Sequence, residues 1–317
     1  MHAVRRHLYA LPFLLIACGG TPPEAQTLAP RDLPSEGVEP STTASASPTA
    51  PAPRKLQIEN SELIELSSAE TGRDYQLIVG VPESYADEPE KKYPVLYLLD
   101  GQWDFTLVNT LTGGLRYDKV APEFFVVGIS YAGEKPDYGK LRGEDYAPTR
   151  SHPPHAEEPY GGDGAKFLSF LEQKVLPTIE GRYRIDASQR TLSGASLGGL
   201  FSLYALFEKP ELFQSIIALS PAAGWDDRYL FAREKAFRSQ HPQLKHRIWL
   251  SVGTDEWPDY MKNARDFFAQ FQHSNYEGVA LSVYEIAGER HAGNKPEAYN
   301  RALRFVFEPW AATQKPD

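Results

Sequence analysis

The sequence predicts an α/β domain with a mostly parallel central sheet and helices on both faces. Three observations carry that prediction. From about residue 55 to residue 310, short apolar runs alternate with segments of helical period. One of those runs, Pro94-Val95-Leu96-Tyr97-Leu98-Leu99, is apolar without interruption, as a strand covered on both faces requires. The composition, 41% hydrophobic and 24% charged, supports a sizeable core for one large domain.

Taken in order, the chain begins with Arg5 and Arg6 and an apolar run from Leu8 to Ala17, which has signal-peptide proportions and is too short to span a bilayer. It ends in Leu15-Ile16-Ala17-Cys18-Gly19, which resembles the lipobox of bacterial lipoproteins. That resemblance implies cleavage after residue 17, a lipidated Cys18, and an exported protein anchored to a membrane of the cell envelope. Cleavage removes two of 33 basic side chains and none of 42 acidic ones, so the net charge becomes 31 minus 42, or −11. Residues 19–54 hold eight prolines, no aromatic residue, and only Leu28, Leu33 and Val38 as large aliphatics, too little to bury. They read as a linker between the anchor and a catalytic domain at 55–317. Cys18 is the only cysteine, which excludes an intrachain disulfide. No Lys/Arg-dense block exists to neutralise a run of phosphates, which argues against a nucleic-acid partner.

Within the domain, Leu56–Leu66 and Tyr75–Val81 read as an opening antiparallel pair around a turn at Thr71-Gly72. Further strands are expected at Phe124–Tyr131, Thr191–Ser193, Ser215–Ser220, Ile248–Gly253 and Leu281–Ile286, with helices at Lys166–Ile179, Leu197–Phe207, Tyr260–Phe271 and Pro296–Phe307. The stretch from Tyr131 to Gly164 is long, polar and rich in Gly and Pro, and reads as a flap in which Arg142 and Asp145 form a pinning ion pair. His152 and His155 in that stretch lack a third ligand nearby in sequence and read as loop histidines, so no metal is expected.

The chemistry-bearing segment is Thr191-Leu192-Ser193-Gly194-Ala195-Ser196-Leu197-Gly198-Gly199, a strand entering Gly-x-Ser-x-Gly and running into a helix. A nucleophile elbow needs that setting, with glycines keeping side chains away from a sharp turn that projects Ser196 over the strand ends. A serine needs a base. His291, in the loop after the last expected strand, follows the Ser…Asp/Glu…His order of α/β hydrolases. The orienting acid should end an intervening strand, where Asp255 and Glu256 stand side by side; both remain candidates, with Glu256 preferred. An oxyanion needs two N–H donors, for which Leu197 follows the serine and Gln102 follows a turn at Asp100-Gly101.

The tracts Tyr93–Gly101, Arg142–Pro148, the Gly194 elbow, Ser220-Pro221 and Gly288–His291 together resemble the putative esterase (esterase D-like) family of α/β hydrolases, in its enterobactin-type siderophore-esterase branch. The likeness runs from about Leu56 to Trp310. It implies an α/β-hydrolase fold and hydrolysis of a small-molecule carboxylic ester, siderophore-like or another aromatic or acyl ester, without metal or organic cofactor. Ser196 and His291 carry over to the family's catalytic pair. The elbow departs from the pattern at Ala195, where a histidine is frequent. An acyltransferase using the same serine, or a non-catalytic binding module on the same fold, are the alternatives.

Overall fold

The computed structural model describes residues 57–153 and 156–314. Cys18, the leader, the linker and His155 lie outside them. The chain opens with β1 (Ser61–Ser68), β2 (Arg73–Gly80) and β3 (Tyr93–Leu98), followed by α1 (Gly101–Tyr117), β4 (Phe125–Tyr131) and α2 (Tyr138–Tyr146). A short hairpin of β5 (Arg150–Ser151) and β6 (Tyr160–Gly161) leads to α3 (Gly164–Phe170), which continues through a π turn into α4 (Leu176–Arg182). Then come β7 (Ile185–Ala195), α5 (Leu197–Glu208), β8 (Ser215–Leu219), α6 (Trp225–Gln240), β9 (Arg247–Gly253), α7 (Pro258–Ser274), β10 (Ala280–Ile286), α8 (Lys295–Val306) and α9 (Glu308–Ala311).

Eight strands form one sheet in the order β1-β2-β4-β3-β7-β8-β9-β10. β2 is antiparallel to both neighbours, and every pairing from β4 through β10 is parallel. The period of two along each strand sorts its side chains into two cores. Val95, Tyr97 and Leu99 face one, packed by α3 to α7, while Leu96 and Leu98 face the other, packed by Phe105 and Val108 of α1 and Tyr299 and Leu303 of α8. This double burial is why β3 carries no polar alternation. Burying each such Leu or Val contributes roughly 1.5–3 kcal/mol. On the second face, buried Asp104 of α1 accepts hydrogen bonds from Lys295 Nζ and the Tyr299 hydroxyl, both at 2.7 Å, and so staples α1 to α8.

The structure corrects three expectations. The turn after β3 is made by Asp100, at φ 57°, and not by Gly101. A Cβ on Gly101 would lie 2.6 Å from the Gly128 backbone, so this glycine lets α1 start against β4. The expected flap is no open loop, since it contains α2 and the β5–β6 hairpin. Arg142 pairs with Asp100 rather than Asp145, through Nε and Nη2 at 2.8 Å each. Asp145 instead accepts from Arg73 at 2.7 Å, Tyr75 at 2.8 Å and Tyr131 at 3.0 Å. Arg73 and Arg142 exchange roles because α2 presents Asp145 to β2 and Arg142 to the end of β3.

Candidate active site

The residues nominated from sequence gather at the carboxyl edge of the parallel strands, where open α/β sheets bind ligands. β7 ends at Ala195, and Ser196 takes φ 60° and ψ −118° before α5 begins. Only surrounding contacts hold a non-glycine residue in that region. They are on hand: Ser196 N–H donates to Leu219 O at 2.9 Å, and its carbonyl accepts from Leu200 and Ala222 at 3.0 Å. The elbow also needs its glycines, because a Cβ on Gly194 would lie 2.4 Å from the Gly198 backbone.

His291 stands in the loop between β10 and α8. Its Nδ1 lies 2.6 Å from Glu256 Oε2, in the loop after β9. Of the two adjacent carboxylates, Glu256 meets the histidine. Asp255 is exposed, and its carboxylate accepts from the Thr254 hydroxyl at 3.3 Å. The other Glu256 oxygen, Oε1, accepts from the Ser220 hydroxyl, from Gly253 N–H at 2.8 Å and from Asn294 Nδ2 at 2.9 Å. Burial pushes the Glu256 carboxyl up, but the hydrogen bonds from His291, Ser220 and Gly253 outweigh it and hold the group below its ordinary value. Glu256 is therefore ionised near neutral pH, which makes His291 Nδ1 the donor of their hydrogen bond.

Gln102 and Leu197 occupy the first turns of α1 and α5, where backbone N–H groups have no carbonyl four residues earlier in the helix. The two helix starts touch: a Cβ on Gly198 would lie 3.4 Å from Asp100 Oδ2 and 3.5 Å from Leu99 Cβ. Both amide atoms of the Gln102 side chain are buried and hydrogen-bond nothing among the described residues. Arg142 braces this junction, holding Asp100 and reaching the Ala195 carbonyl at 3.4 Å. Tyr146 adds its hydroxyl as acceptor for Asp100 N–H at 3.1 Å.

Sequence reasoning missed three participants. Asn294 caps the Glu256–Ser220 contact, donating to Ser220 Oγ at 2.9 Å as well as to the carboxylate. Ser220 carried a signal only as part of a Ser-Pro pair. Tyr260, in the first turn of α7, places its hydroxyl 3.4 Å from Ser196 Oγ and 2.6 Å from the Ser220 carbonyl. Its ring stands edge-on to His291 at 4.9 Å between centroids, and exposed Trp257 flanks the same histidine at 5.2 Å. A hydrogen bond between Ser196 and His291 is not among those of the described residues. Catalytic contacts of this kind are often long before substrate binds.

Comparison with known proteins gives a consistent picture. Residues 68–300 match the family described as Putative esterase. The chain is similar to the ferri-bacillibactin esterase BesA of Bacillus subtilis, with 30% identity over 269 residues, covering 80% of this chain and 91% of that protein. It is also similar to the siderophore triacetylfusarinine C esterase of Aspergillus fumigatus, with 29% identity over 288 residues, 81% of this chain and 97% of the relative. Among solved structures, the BES protein from Bacillus cereus superposes with a TM-score of 0.74 at 27% identity, covering 81% of this chain and 98% of that one. The sheet order and helix placement accord with the α/β-hydrolase fold.

Proposed function

This chain belongs to the Putative esterase family and hydrolyses esters, and on that premise we propose that it is a serine esterase working through an acyl-enzyme on Ser196. The observation that carries the reading is the ionised Glu256 held against His291 Nδ1 at 2.6 Å, beside a serine at a strained strand-to-helix turn. In the first step Ser196 Oγ bonds to the ester carbonyl carbon while His291 Nε2 takes its proton. The carbonyl electron pair moves onto oxygen, where the N–H groups of Leu197 and Gln102 meet it. Each such donor typically contributes about 10²–10³ in rate. The intermediate collapses by breaking the bond to the alcohol oxygen, which leaves with the proton from His291. Water, deprotonated by the same Nε2, then attacks the acyl-enzyme, and the acid departs as Ser196 recovers its proton. Glu256 orients the imidazole and stabilises its cation.

Because two relatives are named for siderophore esters, the substrate class proposed is the ester bonds of siderophore-type molecules. Purified wild type is expected to react with a fluorophosphonate at Ser196 and to cleave members of an ester panel that includes catecholate and cinnamate esters. Ser196→Ala and His291→Ala should each lower turnover by about 10⁴–10⁶. Near-wild-type hydrolysis by Ser196→Ala sinks the assignment.

We also propose that the chain is exported and held to a membrane through lipid on Cys18. Each buried methylene of the acyl chains contributes about 0.8 kcal/mol, and stable anchoring takes more than one chain. Cys18→Ala should abolish acyl labelling, and mass spectrometry of the native protein should find residue 18 as a modified N-terminus. A mature N-terminus elsewhere removes the claim.

A further inference from the structure

We propose that Asn294 is a positioning residue for the reaction, whose side-chain amide keeps Glu256 charged and aimed at His291. The proposal rests on Ser196, His291 and Glu256 acting as a triad.

Asn294 stands at the N-cap of α8, where asparagine is favoured because its side-chain oxygen can accept from the first helical turn. It makes no such bond. Its Oδ1 is buried in a residue 1% exposed and meets no hydrogen-bond donor among the described residues. The amide is turned the other way, with Nδ2 at 2.9 Å from Glu256 Oε1, 2.9 Å from Ser220 Oγ and 3.3 Å from the His291 carbonyl. The partners dictate that orientation. A carboxylate and a carbonyl only accept, and the Ser220 hydroxyl spends its one proton on Glu256. Three acceptors thus converge on one amide NH₂, and the reversed amide would set its oxygen against all of them. The residue forgoes a stabilising cap and leaves a buried acceptor unpaired, and both losses weaken α8. A donor directed at Glu256 accounts for both.

The backbone of Asn294 is fixed on either side, its N–H donating to Arg290 O at 3.1 Å and its carbonyl accepting from Ala298 at 3.0 Å. One rigidly mounted side chain therefore joins the segments after β8, β9 and β10 that carry Ser220, Glu256 and His291. With Oε1 held by Asn294, Ser220 and Gly253, Oε2 is left to the imidazole. An amide donor stabilises an ionised carboxyl over a neutral one. Without it Glu256 and His291 bind a proton more tightly, and the acidic limb of the rate profile moves to higher pH. The other titratable group facing the carboxylate is the Tyr260 phenol, which burial pushes up and which stays neutral over that range.

The test measures kcat, KM and the pH dependence of kcat/KM for wild type, Asn294→Ala and Asn294→Asp on one ester that wild type cleaves. Aspartate caps a helix as well as asparagine does, so it rescues a residue needed only for α8. It cannot rescue a donor, because it sets a second carboxylate against Glu256. Both variants are expected to lose about 10- to 100-fold in kcat, the size of one hydrogen bond to a charged group. KM should stay within about twofold of wild type, since Asn294 is buried beneath the loop, and the acidic limb should move up. Near-wild-type turnover by Asn294→Asp overturns the proposal, and so does a loss in both variants that is uniform across pH. Neutron diffraction on the wild-type protein decides the matter if neither variant folds. The Nδ2 protons should face Glu256 and Ser220, and Oδ1 in their place overturns the proposal. Retained hydrolysis by Ser196→Ala defeats the triad and this proposal together, a result distinct from an active Asn294→Asp in an enzyme that still depends on Ser196.

Discussion

Two buried carboxylates, Glu256 behind His291 and Asp145 beneath α2, meet opposite electrostatic outcomes. Glu256 receives the hydroxyl of Ser220, the Gly253 N–H, the Asn294 amide and the His291 imidazole. It is held below its ordinary value. Burial pushes Asp145 up to about 6, against the charge of Arg73 and the hydroxyls of Tyr75 and Tyr131. Asp145 has a full positive charge at 2.7 Å, yet Arg73 divides its guanidinium with Asp163 and the Tyr75 hydroxyl also meets Thr71. Burial outweighs the partners at Asp145 and is outweighed by them at Glu256. The clamp at Glu256 keeps the His291 imidazole oriented, whereas the cluster at Asp145 rivets α2 to β2 and β4.

That contrast is open to direct attack, beginning with the largest effect. Glu256→Gln should lower kcat by about 10³–10⁴, because on the proposed mechanism it removes the group that fixes the His291 tautomer. Equal, small losses in Glu256→Gln and Asp255→Asn would mean that serine and histidine act as a dyad. Asp145→Asn should do the reverse, costing about 2 kcal/mol of stability at pH 7 because an amide NH₂ leaves donors unpaired among Arg73, Tyr75 and Tyr131, while kcat/KM stays within about threefold. Denaturant unfolding and steady-state kinetics on one preparation separate the two.

A third effect concerns pH. Asp145 is raised in the fold, so between about pH 4 and pH 6 the folded chain holds a proton that the unfolded chain releases. Its contribution to stability is then full at low pH and lost as pH rises through about 6. The Glu256 contribution is present above the unfolded carboxylate range and lost only as pH falls through its lowered folded value. Wild type should consequently gain about 1–2 kcal/mol on Asp145→Asn as pH falls from 6 toward 4. A flat difference across that range contradicts the raised value. The smallest change is expected for Asp255→Asn, within about 0.5 kcal/mol in stability and about twofold in kcat, as befits an exposed loop charge.

The sheet was legible because its strands are buried on both faces or bounded by turn residues, and the register of motif to strand placed Ser196, Glu256 and His291 at one edge. The helix α1 was not. Its sequence Gly-Gln-Trp-Asp-Phe-Thr-Leu-Val-Asn-Thr-Leu-Thr-Gly-Gly includes many weak helix formers. Asp100 precedes it as a capping residue would, but its carboxylate is spent on Arg142 and makes no cap. In α6 the buried stripe Leu230, Glu234, Phe237 is broken by a carboxylate that Gln270, Ser274 and Tyr276 satisfy from elsewhere in the fold. Asn294 and Tyr260 were invisible for a related reason, since their roles depend on the loops of three other strands. The preference for Glu256 over Asp255 rested on spacing alone, and the geometry that separates them comes from the turn beginning at Gly253, whose N–H reaches the Glu256 carboxylate.

The staple between Asp104 and the pair Lys295 and Tyr299 ties the first helix of the domain to one of its last. Synthesis runs from the N-terminus, so the elbow at Ser196 emerges long before His291 and the helix that secures it. A nascent chain thus carries Ser196 before the His291 loop exists, and on the proposed mechanism it cleaves no ester until that loop is made.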